Sequence, residues 1–178
     1  GGLTLWRAGS PEPARRFEWK GSTLVVAWSP NGKYIATGDQ DATVHFWIAG
    51  TGEDLQMWGY PTKVLQLSWN GTSRYLATGG GPAVTVWDCS GKGPAGTKPL
   101  VLEGHTGFVS ALAYQRLGSL LASGGEDGLV AVWETGRRGR LVALESLDSG
   151  VAEVAWSPDD RVLAAGCESG DVVVLAAP

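Results

Sequence analysis

The sequence predicts an all-β chain laid out as a linear array of small antiparallel sheets, and two spacings carry that prediction. Short apolar runs close on an aromatic at Trp28, Trp69, Tyr114 and Trp156, which lie 41, 45 and 42 residues apart. A second set of runs closes at Trp6, Trp47, Trp87, Trp133 and Leu175, which lie 41, 40, 46 and 42 residues apart. Within a unit the two markers are separated by 19, 18, 19 and 19 residues, so two independent rulers agree. The third observation is punctuation: glycine or polar residues cut the runs at strand length, and 27 of 178 residues are glycine.

Taken in order, Leu3 to Trp6 reads as an orphan third strand whose first and second strands are absent. Ser10-Pro11-Glu12-Pro13 follows as a turn, then Arg15 to Trp19 as a candidate fourth strand, so the sequence begins in mid-sheet. Four repeats of about 15–47, 53–87, 98–133 and 140–175 follow in one array over 1–178. Repeat one has strands at Leu24–Trp28, Tyr34–Thr37 and Thr43–Trp47, with Asn31-Gly32 as its hairpin signal. Repeat two has Leu55–Trp58, Val64–Trp69, Tyr75–Thr78 and Val84–Trp87. The Gly- and Pro-rich stretch from Asp88 to Pro99, Lys92 included, reads as a lengthened loop on one face of the array. Repeat three has Leu100–Leu102, Val109–Tyr114, Leu120–Ser123 and Leu129–Trp133; repeat four has Leu141–Leu144, Val151–Trp156, Val162–Ala165 and Val172–Leu175. Apolar residues run almost unbroken through these strands, which predicts sheets covered on both faces by neighbours.

Gly104-His105 near the start of a repeat, Trp87-Asp88 near the end of one, Trp133-Glu134 close to it, and the 40-to-46-residue frame resemble the WD-repeat β-propeller family along the whole chain. The resemblance implies four-stranded antiparallel blades, four repeats in this chain, in a ring left open or completed by another copy or segment. It also implies a hydrogen-bonded chain of His105, Ser123, Asp127 and Trp133 in repeat three. Repeat one keeps Thr37, Asp41 and Trp47 but has Gly21-Ser22 where Gly-His would sit. Repeat two keeps Thr78 and Trp87, and repeat four has Ala165, Ser169 and Leu175. The chain of four is read as a blade lock and not as a hydrolytic triad, because no nucleophile elbow surrounds Ser123.

Composition narrows the function classes. A net charge of −4 and a pI near 5.1 argue against a nucleic-acid surface. The clustered Arg137, Arg138 and Arg140 read as a solvated loop. Cys89 and Cys167 read as free thiols of a reducing compartment, and no apolar run has the length of a membrane span, so the expectation is a soluble, cytoplasmic chain. His45 and His105 have no His or Cys at ligand spacing, and Gly79-Gly80-Gly81 opens no helix, so no metal, phosphate loop or cofactor is expected.

Function is then expected on loops. In the resembled family, narrow-face binding side chains come from the start of each first strand and from the turn after the second. Six and four residues before the first-strand aromatic stand Ser22 and Leu24, Lys63 and Leu65, Phe108 and Ser110, Gly150 and Ala152. The turn adds Gln40, Glu126 and Glu168, with Gly80 or Gly81 in repeat two. Leu24, Gln40, Lys63, Leu65, Phe108, Ser110, Glu126 and Glu168 are the candidate partner-binding residues, with Leu24, Lys63, Leu65 and Phe108 foremost because apolar anchors beside charge mark interface centres. The expected role is a non-catalytic scaffold for a protein or peptide partner, the alternatives being a structural module that completes a larger assembly and a channel-site ligand binder or enzyme. A homodimer, or pairing with missing propeller segments, would cover the two open ends.

Overall fold

The computed structural model describes residues 1–91, 93–136 and 138–178, so Lys92 of the lengthened loop and Arg137 of the arginine cluster lie outside the described residues. Among the described residues there are only strands, turns and loops, arranged as five successive antiparallel sheets. The first is a hairpin of β1 (Gly2–Trp6) and β2 (Pro13–Glu18). The second holds β3 (Thr23–Trp28), β4 (Tyr34–Asp39), β5 (Val44–Ile48) and β6 (Asp54–Met57) in that spatial order. The third holds β7 (Leu67–Trp69), β8 (Tyr75–Thr78), β9 (Val84–Asp88) and β10 (Leu100–Leu102). The fourth holds β11 (Val109–Tyr114), β12 (Leu120–Gly125), β13 (Leu129–Glu134) and β14 (Arg140–Ser146). The fifth has three strands, β15 (Val151–Trp156), β16 (Val162–Cys167) and β17 (Val172–Ala176).

The sheet frame is out of phase with the sequence repeat. A repeat of 15–47 opens in β2, which pairs with β1, and continues in β3 to β5 of the next sheet. Thus the connection between repeats is also the connection between fourth and third strands of one sheet. Strand β7 is shorter than Val64–Trp69: the Val64 N–H bonds the Asp39 carbonyl of the preceding sheet at 3.2 Å, so this segment crosses between sheets before it pairs with β8.

No sheet closes its own core. Phe46, Val44 and Ala36 of the second sheet pack with Leu76, Trp69 and Trp87 of the third. Val84, Val86 and Ala77 of the third meet Tyr114, Leu121 and Trp133 of the fourth, and Val130, Val132 and Ala122 of the fourth meet Val151, Val154 and Leu163 of the fifth. Each fully buried valine, leucine or phenylalanine among them contributes about 1.5–3 kcal/mol. Indoles staple the stack as well: Trp69 Nε1 donates to the Ala27 carbonyl at 3.4 Å and Trp156 Nε1 to the Ala113 carbonyl at 2.9 Å.

Two faces depart from the expectation of burial on both sides, and the array is an open arc. The two-stranded first sheet covers Ile35 and Trp47 with Phe17, Leu3 and Leu5, but it has no strand opposite β3. Leu24, Val26 and Trp28 are therefore exposed. At the other end Val172 and Val174 of β17 are 69% and 65% exposed. Among the described residues no helix is long and apolar enough to cross a membrane.

Candidate functional site

Every first strand begins at one end of its sheet, where the second strand ends, and three of these starts share a defect. The β3–β4, β11–β12 and β15–β16 registers skip one residue, at Leu24, Ser110 and Ala152. A bulge of this kind turns a side chain out of the ladder. Two residues earlier, the carbonyls of Ser22, Phe108 and Gly150 accept from the N–H groups of Gln40, Glu126 and Glu168 at 2.9, 2.9 and 2.8 Å. One backbone bond thus fixes the start of the first strand against the turn after the second in three sheets. In the third sheet Gly79-Gly80-Gly81 takes another path, with Gly80 at φ +140°, and the Gly81 carbonyl accepts from Val109 of the fourth sheet at 3.0 Å.

Beside that crossing lies a cleft of about 180 Å³ between the third and fourth sheets, lined by Lys63, Leu65, Gln66, Phe108, Ser110 and Glu126 among others. Five of the eight candidate partner-binding residues meet there. Leu24 and Gln40 lie on the second sheet and Glu168 on the fifth, outside this cleft. Phe108 is 50% and Leu65 42% exposed. Ser110 is held differently: its hydroxyl reaches the Gly124 carbonyl at 3.1 Å and also the Val151 carbonyl of the fifth sheet. It braces two sheets from the cleft floor. Gln66 Nε2 donates to the Ser110 carbonyl at 3.1 Å, so the wall between Leu65 and Phe108 is also tied.

Behind the cleft, the four polar residues of repeat three form one chain. Trp133 Nε1 donates to Ser123 Oγ at 2.8 Å, Ser123 Oγ lies 2.8 Å from His105 Nε2, and His105 Nδ1 lies 3.1 Å from Asp127 Oδ1. Directions are consistent for a neutral imidazole protonated at Nδ1. Burial opposes the Asp127 charge, but the N–H groups of Thr106, Leu129 and Gly107 and the His105 ring outweigh it and bring the carboxyl down to about 2. Ser123 has 0% exposure and its oxygen already accepts the indole proton, so no substrate carbonyl can reach it.

Sequence reasoning missed how the other sheets build this position. His105 stands nine residues before Tyr114, and the residues nine before Trp69, Trp28 and Trp156 are Tyr60, Trp19 and Leu147. In the third sheet Tyr60 Oη accepts from Trp87 Nε1 at 2.8 Å and pairs with Thr78 Oγ1 at 2.8 Å, while burial pushes the phenol up to about 12. In the second sheet the position belongs to Trp19 and not to Gly21-Ser22. Its ring packs 3.8 Å from that of the buried His45, and its bulk leaves no room for a side chain at Gly21. The same nine-residue offset would have found both. Among the described residues, the buried Trp19 Nε1 beside this sheet and Asp39 Oδ1, His45 Nε2 and Trp47 Nε1 within it have no hydrogen-bond partner, and burial raises the Asp39 carboxyl.

The model of the WD domain, G-beta repeat family matches residues 16–47, 96–134 and 142–174. Ribosome biogenesis protein erb1 of Neosartorya fischeri is 44% identical over 80 residues, 44% of this chain and 10% of that protein. Small ribosomal subunit protein RACK1z of Arabidopsis thaliana is 42% identical over 69 residues, 39% of this chain and 21% of that protein. The matches thus span about a tenth to a fifth of these curated relatives. Among solved structures, a chain of the mitotic checkpoint complex superposes with a TM-score of 0.78 at 19% identity, covering 93% of this chain and 52% of that one. The WD40 repeats of RRP9 give 0.68 at 20% identity, over 89% and 52%. At such identities the likeness is one of fold.

Proposed function

Because the chain belongs to the WD-repeat family, we propose that it is a non-catalytic scaffold that docks a protein or peptide partner on the narrow ends of its sheets. The observation that carries this is the cleft between the third and fourth sheets, where exposed Phe108 and Leu65 stand beside Lys63 and Glu126 on a tied backbone. An apolar anchor within a charged rim is the anatomy of an interface centre. No catalytic step is assigned, since the one Ser–His–Asp arrangement is closed to substrate. The acidic balance disfavours a nucleic-acid partner, and two buried free thiols favour the cytoplasm. Affinity capture with the wild-type chain, Phe108→Ala, Lys63→Glu and a distal control, Leu117→Ala, tests the proposal. Partners lost from the first two variants and kept by the control support it; the same partners on all four chains would overturn it.

A second reading has its own observation. Leu24, Val26 and Trp28 at one end and Val172 and Val174 at the other are apolar sheet faces that neighbouring sheets cover elsewhere in the array. This favours a module completed by further propeller segments or by a second copy, as in a homodimer. Sedimentation velocity decides: a compact monomer of 18.6 kDa would remove it.

A further inference from the structure

The two walls of the narrow-end cleft carry opposite charges, and neither charge is spent. Lys63 on the third-sheet wall and Glu126 on the fourth-sheet wall are the charged residues among its described lining, and both are exposed. Neither takes part in an ion pair among the described residues. The neighbouring acids leave this division intact. Asp127 is already held by the N–H groups of Thr106, Gly107 and Leu129 and by the His105 ring. Asp39, whose carbonyl accepts the Val64 N–H, has 0% exposure. A Cβ on Gly150 would meet both the Glu168 carboxylate at 2.9 Å and the Glu126 carbonyl at 3.2 Å, so Glu168 stands beyond Glu126 and adds to its sign.

The third-sheet wall has a second feature, which the other sheets lack. Twelve residues after the first-strand aromatic stand Gln40, Glu126 and Glu168, whose N–H groups are bonded to the start of the first strand. The residue at that offset from Trp69 is Gly81, and it makes no such bond. Gly80 packs instead on Tyr60 and Val64, and Gly81 on Pro61. Both glycines are buried and line the cleft, and among the described residues their N–H groups have no hydrogen-bond partner. A buried donor left without an acceptor is costly, and a charged acceptor satisfies it best. The wall that bears the one lining cation therefore also bears two unclaimed donors.

We propose that the cleft takes a short peptide segment of a partner in which one apolar side chain is flanked by an acid and a base. The apolar side chain sits on Phe108 and Leu65, the carboxylate goes to Lys63 and the N–H groups of Gly80 and Gly81, and the base goes to Glu126. The inference rests on the docking surface proposed above and names the chemistry of its partner. At about 180 Å³ the cleft is smaller than the ~300–1,000 Å³ of small-molecule sites, so it seats a side chain. One lysine facing an acid across the cleft matches the single charge of a carboxylate and not the near-double charge of a phosphate.

Selection from a display library of short random peptides on the full chain tests this, with each enriched peptide measured by fluorescence anisotropy. Peptides with an apolar residue between an acid and a base are expected, weakened about tenfold or more by Phe108→Ala, Lys63→Glu and Glu126→Lys and unchanged by Leu117→Ala. Lys63 and Glu126 are exposed, so their substitutions spare the core. Charge reversal separates recognition from damage: a peptide whose acid is replaced by Lys should bind the wild type weakly and regain affinity on Lys63→Glu. A peptide whose base is replaced by Glu should likewise regain it on Glu126→Lys. No enriched peptides, peptides that need a phosphate, or reversed peptides that regain nothing would each overturn the proposal. Peptides lost on Phe108→Ala without this charge pattern would overturn the chemistry and leave the docking surface standing. Peptides indifferent to Phe108→Ala would remove both.

Discussion

The carboxylate of Asp160 accepts the backbone N–H of Leu117 at 2.6 Å, across two sheets and 43 positions of sequence. Arg116 and Gly118 add N–H bonds at 2.8 Å each, so one side chain in the turn of the fifth sheet cradles the matching turn of the fourth. Asp160 holds φ +60°, a conformation that Asn tolerates and Ala does not. Asp160→Ala should lower stability by about 2 kcal/mol and Asp160→Asn by about half of that, read as a shift in urea midpoint at constant slope.

Acid should loosen the fourth sheet. Asp127 titrates at about 2 when folded, against an unfolded value near 3.9, and Asp160 is also lowered, by the three N–H groups that outweigh its desolvation. A depressed folded pKa gives stability that is complete above the unfolded value and lost as pH falls through the folded one. The loss therefore runs from about pH 4 to about pH 2 and amounts to about 2 kcal/mol for Asp127. Urea midpoints taken across that window should fall steeply for the wild type and less steeply for Asp127→Asn.

Tyr60→Phe removes an oxygen that serves two buried partners, Trp87 Nε1 and Thr78 Oγ1. The indole N–H is then left unpaired in the core, at a cost of about 1–3 kcal/mol. Thermal unfolding of Tyr60→Phe should show this fall; an unchanged midpoint would mean that the Trp87 indole finds another acceptor.

Four glycines stand ten residues after the first-strand aromatic: Gly38, Gly79, Gly124 and Gly166. A Cβ on Gly124 would overlap Val151 of the next sheet, whereas a Cβ on Gly166 meets nothing within 4 Å. Gly124→Ala should destabilise by about 1–3 kcal/mol, and Gly166→Ala should be neutral unless another sheet covers that face. Measured within a longer protein or an oligomer, the Gly166 variant reports whether that face is occupied.

The stack of sheets was legible because both aromatic rulers, one through Trp28 and one through Trp47, follow packing that every sheet repeats. Phe108 and Lys63 were legible as a counted offset, but their meeting was not. Lys63 and Phe108 stand 45 positions apart on neighbouring sheets, and an offset counted within one unit says nothing of contacts between units. Trp19 and Tyr60 were hidden because a histidine was sought by identity: any large side chain with the right reach fills that position. The Asp160 cradle leaves no local signature, since its acceptor and donors belong to turns of different sheets.

The indoles of Trp69 and Trp156 both reach back toward chain made earlier, to Ala27 and Ala113. During synthesis the third and fifth sheets therefore meet these anchors already formed, and assembly can advance from the amino end as the polypeptide leaves the ribosome, without waiting for the carboxyl end. A pause in translation after any complete layer would leave a docked intermediate with one sticky flank.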